Sequence, residues 1–489
     1  MEFKKDHWKI LVICLLGALR VFVFSAGFPF FNNVDEVAHL DVVVKYSHGE
    51  TPHSFELMSK ESARYYVRNG SCEFSMLVGD WYKPLNYDTL KDPKRIIFDE
   101  NESKFSKVIN YESLQPPLYY TLAGGWKKLG TAFGFKNLSL LYWIRFLNIV
   151  FIILLVLLAY KASATLFPGD RFLVFGVPLI VAMLPQDTYY SIQNDVLSPL
   201  CFALTFVLLL KFVQTDLAQS RLAIFTGLAI ALTVLVKVSN LPLLGIVILA
   251  VVYKMYKLKS NKKSRHVFLP LALFGAFTFI PIICWLMWNF YVLGDITGSE
   301  GKINFFGWTH KPFLEWFNHP IFSNFSGVFF MWKELMITFW RGEFVWGSQR
   351  VAEPLMDFFY WVSSLIFVLV TLIFVQRKLN PFQRNVNRFV FLCFVSMIAY
   401  MVLLSISFDF GDSFYPSKAS PYFTSGRLIS AVLLPFALLY AQGFNWLFSW
   451  IKNERLRFLL LIGVVFVITL SEISASQKVF LSNFNWFRF

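Results

Sequence analysis

The sequence predicts an all-α polytopic membrane protein of about 11 transmembrane helices, whose long first external loop forms juxtamembrane helices. Three observations predict it. The 489 residues are 56% hydrophobic and only 16% charged, with a mean hydropathy of +0.54; a soluble chain carries about 25% charged residues. Apolar runs of about 20 residues, enough to cross a bilayer, recur along the whole chain. Lys and Arg gather between those runs, notably in KMYKLKSNKKSR (254–265) and QRKLNPFQRNVNR (376–388), as cytoplasmic loops do. That distribution assigns the formal charge of +14 to the membrane and excludes nucleic acid as the partner.

The expected spans are 9–30, 143–166, 171–188, 191–213, 221–240, 241–257, 267–291, 356–375, 388–408, 428–450 and 457–474. The first is expected to be retained, because no small-residue cleavage site follows MEFKKDHWK. With the N-terminus inside, every basic connection is cytoplasmic and every long polar segment is external. Cys14, Cys201, Cys284 and Cys393 lie in apolar runs and Cys72 in a polar one, so neither a disulfide framework nor a metal spacing follows.

We read residues 1–489 as one transmembrane domain bearing three external segments. The first, 32–130, includes a stretch, 32–115, with 14 of the 31 acidic residues and 10 of the 45 basic ones. Its end, QPPLYYTLAGGWKKLG (115–130), is too short for a comfortable span and is expected to be a helix in the outer interface. The second, 292–355, is rich in Trp and Phe, and the third is 409–427. Together they are expected to cap the external face.

Chemistry is sought where charges meet the hydrocarbon boundary, because an acid there is costly to keep ionised. In FPFFNNVDEVAHLDVV (28–43), Asp35 and His39 share a face if the segment is helical. Helix capping by Asn32, Asn33 or Asp35 is the simpler reading. Asp35 plus His39 offer two of the ligands a divalent ion would need. In LPQDTYYSIQNDVLSPL (184–200), Gln186, Asp187, Gln193, Asn194 and Asp195 are expected at an external turn. A polar turn is again the simpler reading, yet Asp195 and Asp35 fall at one depth and could share a pocket. Lys237, Arg341 and Arg427 fall at that level too. Snorkelling explains any one of them; three beside two acids suit an anionic headgroup, which Arg can bond bidentately.

The stretches NVDEVAHLD, QPPLYYTL, SIQNDVL and YFTSGRL, in this order, resemble the GT-C superfamily of integral membrane glycosyltransferases, closest to its aminoarabinose transferase and protein O-mannosyltransferase branch and to uncharacterised bacterial relatives. The resemblance implies transfer of a sugar from a polyprenyl-phosphate donor to an external lipid, glycan or protein acceptor, with inversion, at the outer face of a bacterial inner membrane. It implies Asp35, Glu36 and Asp195 as catalytic residues. Arg341, Arg427, Lys237 and Gln115 become candidates for the donor phosphate, with His39, Asn194, Tyr119 and Trp340 for the substrates. Gln115 stands where some members carry Lys or His before Pro-Pro, which moves the phosphate contact towards the three cations. A metal is left open. A glycolipid flippase or an inactive scaffold subunit is the alternative; polar residues gathered at one face favour the enzyme.

Overall fold

Hydrocarbon offers no hydrogen bonds, so each spanning segment must satisfy its own backbone, and helices do so. The computed structural model describes residues 7–33, 35–71, 92–215, 219–260, 268–347, 349–413 and 415–488. Cys72, residues 1–6 and residues 261–265 of the basic stretch 254–265 lie outside the described residues. Chain order gives α1 (His7–Gly27), α2 (Glu36–His48), α3 (Lys60–Asn69), α4 (Asp92–Phe105), α5 (Leu118–Ala132), α6 (Asn137–Arg145), α7 (Leu147–Leu166), α8 (Arg171–Met183), α9 (Ser198–Gln214), α10 (Ser220–Val236) and α11 (Leu241–Ser260). There follow α12 (Phe268–Leu293), α13 (Glu300–Phe305), α14 (Pro320–Ser323), α15 (Phe325–Arg341), α16 (Pro354–Val370), α17 (Gln376–Lys378), α18 (Pro381–Ser407), α19 (Leu433–Leu447), α20 (Glu454–Ala475) and α21 (Gln477–Phe480). Nine helical stretches among the described residues are long and apolar enough to cross a membrane, and α8 and α10 are shorter apolar helices. The protein is therefore an all-α polytopic membrane protein.

The ends of the spans sort into two faces. On one, Gln383 Nε2 donates to the Leu166 carbonyl (2.7 Å), Glu454 Oε1 accepts from the Phe172 amide (2.8 Å), and Asn445 Nδ2 reaches Asp170 (3.3 Å). The basic connections emerge on this basic face. The opposite face collects the ends of α1, α8, α10 and α18 and the starts of α9, α11 and α19, and it carries the candidate residues. First and last spans are tied inside the bundle by Arg20, which bonds Glu472 (3.2 Å), the Ala182 carbonyl (3.2 Å) and the Tyr190 hydroxyl.

Beyond α1 the chain folds into α2–α5. Helices α2 and α5 pack closely because Gly124 has no side chain: a Cβ there would lie 3.0 Å from the Ser47 amide nitrogen. The 15 residues of α5 span about 22 Å at 1.5 Å per residue, short of the roughly 30 Å hydrocarbon core. Asp41 fixes the connection after α2 by accepting from the Ser59 amide (2.8 Å) and Asn110 Nδ2 (2.8 Å) and by pairing with Lys45 (3.1 Å). The three polar segments touch one another. Phe55 stacks on Phe305 (6.4 Å between centroids), Lys302 pairs with Glu112, and Thr309–His310 pairs antiparallel with Phe408–Asp409.

Candidate functional site

Asp35 occupies the position before α2 with φ +67°, in the left-handed region, and its side chain makes no cap hydrogen bond. The capping reading therefore fails. The carboxylate turns inward: Oδ1 accepts from the Tyr111 hydroxyl (2.5 Å) and Oδ2 from Arg427 Nη2 (2.6 Å). A non-glycine residue held at positive φ is strained, and such strain gathers at functional sites. Burial works to raise the Asp35 pKa, but Arg427, Lys302 and the Tyr111 hydroxyl outweigh it and hold the carboxyl well below its usual range.

The segment 184–198 is not an exposed turn. Among its residues Gln186, Asp187, Gln193, Asn194 and Asp195 are all buried. Its backbone is satisfied from within the protein: Asn148 Nδ2 donates to the carbonyls of Tyr189 (3.1 Å) and Ser191 (2.8 Å), and Glu36 accepts from the Ile192 amide (3.0 Å). Folding inward brings Asp195 to Lys237, with Nζ–Oδ1 at 2.6 Å. Lys237 thus pairs with an acid and does not snorkel to headgroups; burial lowers its pKa against the pull of Asp195. Arg427 joins the two acids. Its Nη2 is on Asp35, its Nη1 donates to Gln193 Oε1 (3.1 Å) and lies 4.0 Å from Asp195 Oδ2, and its Nε lies 3.8 Å from Glu343. Asn194 Oδ1 and Asp195 Oδ2 are buried and accept no hydrogen bond. A buried polar atom left unpaired is costly, so these two acceptors await donors.

A second wing lies along α2 and the Pro-Pro segment. Asn194 Nδ2 donates to Gln115 Oε1 (3.3 Å), Gln115 Nε2 donates to Glu112 Oε2 (2.6 Å), and Glu112 Oε1 takes Lys302. His39 Nδ1 bonds the Tyr120 hydroxyl (2.7 Å). Burial outweighs the nearby Glu112 and Asp35 and pushes the His39 pKa down to about 4, so the ring is neutral near pH 7. One ligand atom each from Asp35, His39 and Glu112 lies within 4.8 Å of the others. Two carboxylates and an imidazole suit a divalent ion, though here Tyr111, Arg427, Lys302 and Gln115 bond the carboxylate oxygens. Above Gln115 opens a groove of about 440 Å³ lined by Pro117, Leu235, Pro281, Trp285, Trp288 and Leu293 among others.

Four expected site residues are placed differently. Glu36 points away from Asp35 into a buried clasp, accepting from Arg145 Nε (2.9 Å) and Nη2 (2.8 Å) and from the Phe31 amide (2.8 Å). Tyr119 is buried behind α2 beside Glu36 and Gln193. Trp340 is sealed in the core, stacked on Tyr360 and donating to Ser364 Oγ (2.8 Å). Arg341 forks onto Asp357 (2.6 and 3.0 Å) in a separate small cavity that also contains Asp187 and Glu472. That cavity meets the main site through one strap. Asp187 accepts the Glu343 amide (2.8 Å), and Glu343 in turn accepts from Ser425 (2.6 Å). Burial pushes the Asp187 pKa up to about 7. Tyr111, Glu112, Lys302 and Glu343 belong to the site without having been singled out from the sequence. The best available signal was Glu112, an acid three residues before the quoted Pro-Pro motif.

The family model described as a predicted membrane protein, DUF2142, matches residues 14–412. No curated protein matches the chain. Among solved structures the chain is similar to an oligosaccharyltransferase of Archaeoglobus fulgidus in complex with zinc and sulfate, at TM-score 0.39 and 11% identity over 96% of this chain and 53% of that one. It is also similar to ArnT from Cupriavidus metallidurans bound to undecaprenyl phosphate, at TM-score 0.34 and 10% identity over 90% of this chain and 78% of that one. The chain spans about half the length of the oligosaccharyltransferase chain.

Proposed function

The chain belongs to the DUF2142 family of predicted membrane proteins, and from its site we propose that it is a glycosyltransferase, moving one sugar from a polyprenyl-phosphate donor to an acceptor hydroxyl at the external face of a bacterial inner membrane. One observation carries the reading. A half-buried Asp35–Arg427 pair lies next to Lys237 and to two buried acceptors, Asn194 Oδ1 and Asp195 Oδ2, that lack donors. A sugar phosphate offers hydroxyls to the two acceptors and an anion that competes with Asp35 and Asp195 for the cations. The order of sequence motifs that resembles GT-C enzymes supports the same reading.

The resting site is self-neutralised. Asp35 held by Arg427 and Tyr111 is a weak base. When a donor phosphate engages Arg427, the guanidinium is shared and Asp35 regains basicity. The acceptor oxygen then attacks the anomeric carbon as its proton passes to the Asp35 carboxylate. The bond from that carbon to the phosphate oxygen breaks, and its electron pair leaves with polyprenyl phosphate, stabilised by Arg427 and Lys237. The groove above Gln115 provides an apolar wall for the lipid. Glu36, with Arg145, positions the turn that carries Asp35. Arg341 acts through the strap to Glu343. A divalent ion held by Asp35, His39 and Glu112 would supply further positive charge to the leaving phosphate.

The test is mass spectrometry of envelope glycolipids and polysaccharides from wild type, a deletion strain and Asp35→Asn at wild-type protein level. Loss of one pentose- or hexose-sized mass in both mutants is expected, since removing a positioned base costs about 10²–10⁴ in rate. Loss in the deletion alone would move the carboxylate out of the chemistry and favour a flippase or scaffold.

A further inference from the structure

A large groove among the described residues lies far from this site. It runs between α9, α11 and α18 near the basic face, encloses about 860 Å³, and is walled by residues such as Leu210, Ile246, Ala250, Phe382 and Leu392. Phe206 and Phe389 stack to make its floor, at 6.0 Å between centroids. Leu249 is 66% exposed and Leu392 51%, so the groove opens sideways to the lipid. Its polar end is basic: among the described residues the lining holds Lys254, Lys257 and Arg388 and no carboxylate. Lys254 is committed to the end of α9, donating to the carbonyls of Val213 (3.0 Å) and Thr215. Lys257 and Arg388 are exposed, and neither has an ion-pair partner among the described residues.

We propose that this groove binds one anionic phospholipid, with its acyl chains along the aromatic floor and its headgroup phosphate on Lys257 and Arg388. The depth fits the leaflet opposite the reaction site. Lys257 follows Asn240, at the site end of α11, by about 25 Å at 1.5 Å per residue, close to the roughly 30 Å of a hydrocarbon core. Basic pockets between spans at the cytoplasmic side recognise anionic headgroups in this way. Apolar walls alone would take any lipid; Lys257 and Arg388, with no ion-pair partner among the described residues, select a net negative charge.

The experiment uses the full chain in neutral detergent, with thermal unfolding and native mass spectrometry in added phosphatidylglycerol, phosphatidylcholine or inorganic phosphate. Phosphatidylglycerol is expected to raise the unfolding midpoint and to remain bound at one molecule per chain, whereas phosphatidylcholine and phosphate do neither. Lys257→Gln/Arg388→Gln should weaken phosphatidylglycerol about thirtyfold, two surface cations' worth, and Ala250→Phe should block it by filling the groove. Lys257→Arg/Arg388→Lys and a control pair on the same face, Lys452→Gln/Arg455→Gln, should keep it. An undiminished response in Lys257→Gln/Arg388→Gln, or an equal response to phosphatidylcholine or to phosphate, overturns the proposal.

Discussion

Glu36→Gln should unfold the protein more easily while Asp35→Asn should not. Glu36 is fully buried and Arg145 is 1% exposed. The Glu36 oxygens accept from Arg145 Nε and Nη2, from the Phe31 amide and from the Ile192 amide, all at 2.8–3.0 Å. Glutamine keeps one acceptor oxygen and turns an NH₂ group towards two donors. It also leaves the Arg145 guanidinium uncompensated, with only the carbonyls of Ser25, Phe28 and Pro29 for company. Breaking a buried pair by removing one partner costs about 3–5 kcal/mol, a large part of a typical folding free energy. The assay is thermal unfolding of purified protein in one detergent, with donor-dependent transfer measured on the fraction still folded. The expected result is a midpoint lowered by several degrees with turnover per folded molecule nearly intact. Asp35→Asn should show the reverse, because its carboxylate is partly exposed and Arg427 retains Gln193, Glu343 and Asp195 around it. An unchanged midpoint in Glu36→Gln together with lost transfer would refute the division of labour and put Glu36 in the chemistry.

The remaining predictions concern charge and space. His39 resists protonation in the fold down to about pH 4, so its share of stability is present above its unfolded value near 6.5 and is lost as pH falls towards 4. Asp187 does the opposite: its pKa of about 7 gives stability that is full below about 3.9 and is lost as pH rises through 7. The two slopes oppose each other, so His39→Gln should make the unfolding midpoint fall as pH rises from 4 to 7, and Asp187→Asn should make it rise from 4 to 6.5; parallel profiles in both variants would contradict this. Arg427→Lys keeps the charge but not the fork that reaches Asp35 and Gln193 together, so turnover should drop by about tenfold or more without rescue by extra donor, as steady-state kinetics would show. Gly342→Ala should lower both turnover and midpoint, because φ is +84° and a Cβ would lie 1.9 Å from Asp187 Oδ1; wild-type values would show that the strap from Asp187 to Glu343 has no role.

What the sequence makes legible follows from which forces leave a periodic or compositional trace. The bilayer leaves the strongest, and helices occur along every expected apolar run. The two ends of the site also show, because Asp35 and Arg427 each sit where an apolar run meets a polar one. The burial of 184–198 does not show, since Gln, Asn and Asp read as solvent-seeking until their partners are known. Those partners, Thr338, Glu343, Arg427, Gln115 and Lys237, lie 42 or more residues away along the chain. The Trp340–Arg341 pair misleads for a related reason: an aromatic-rich loop beside an arginine looks like a lid, yet Asp357, sixteen residues on, takes the guanidinium. One physical rule would have found more. An arginine inside an apolar run demands an acid, and Arg20 and Arg145 each sit in such a run. The acids that answer them are Glu472 and Glu36. Applied to the sequence, that rule calls for an acid opposite Arg145 without saying which, and the structure supplies Glu36. It leaves Asp35 as the acid of the pair whose partner, Arg427, comes from outside a span's interior, where an incoming phosphate could compete for it.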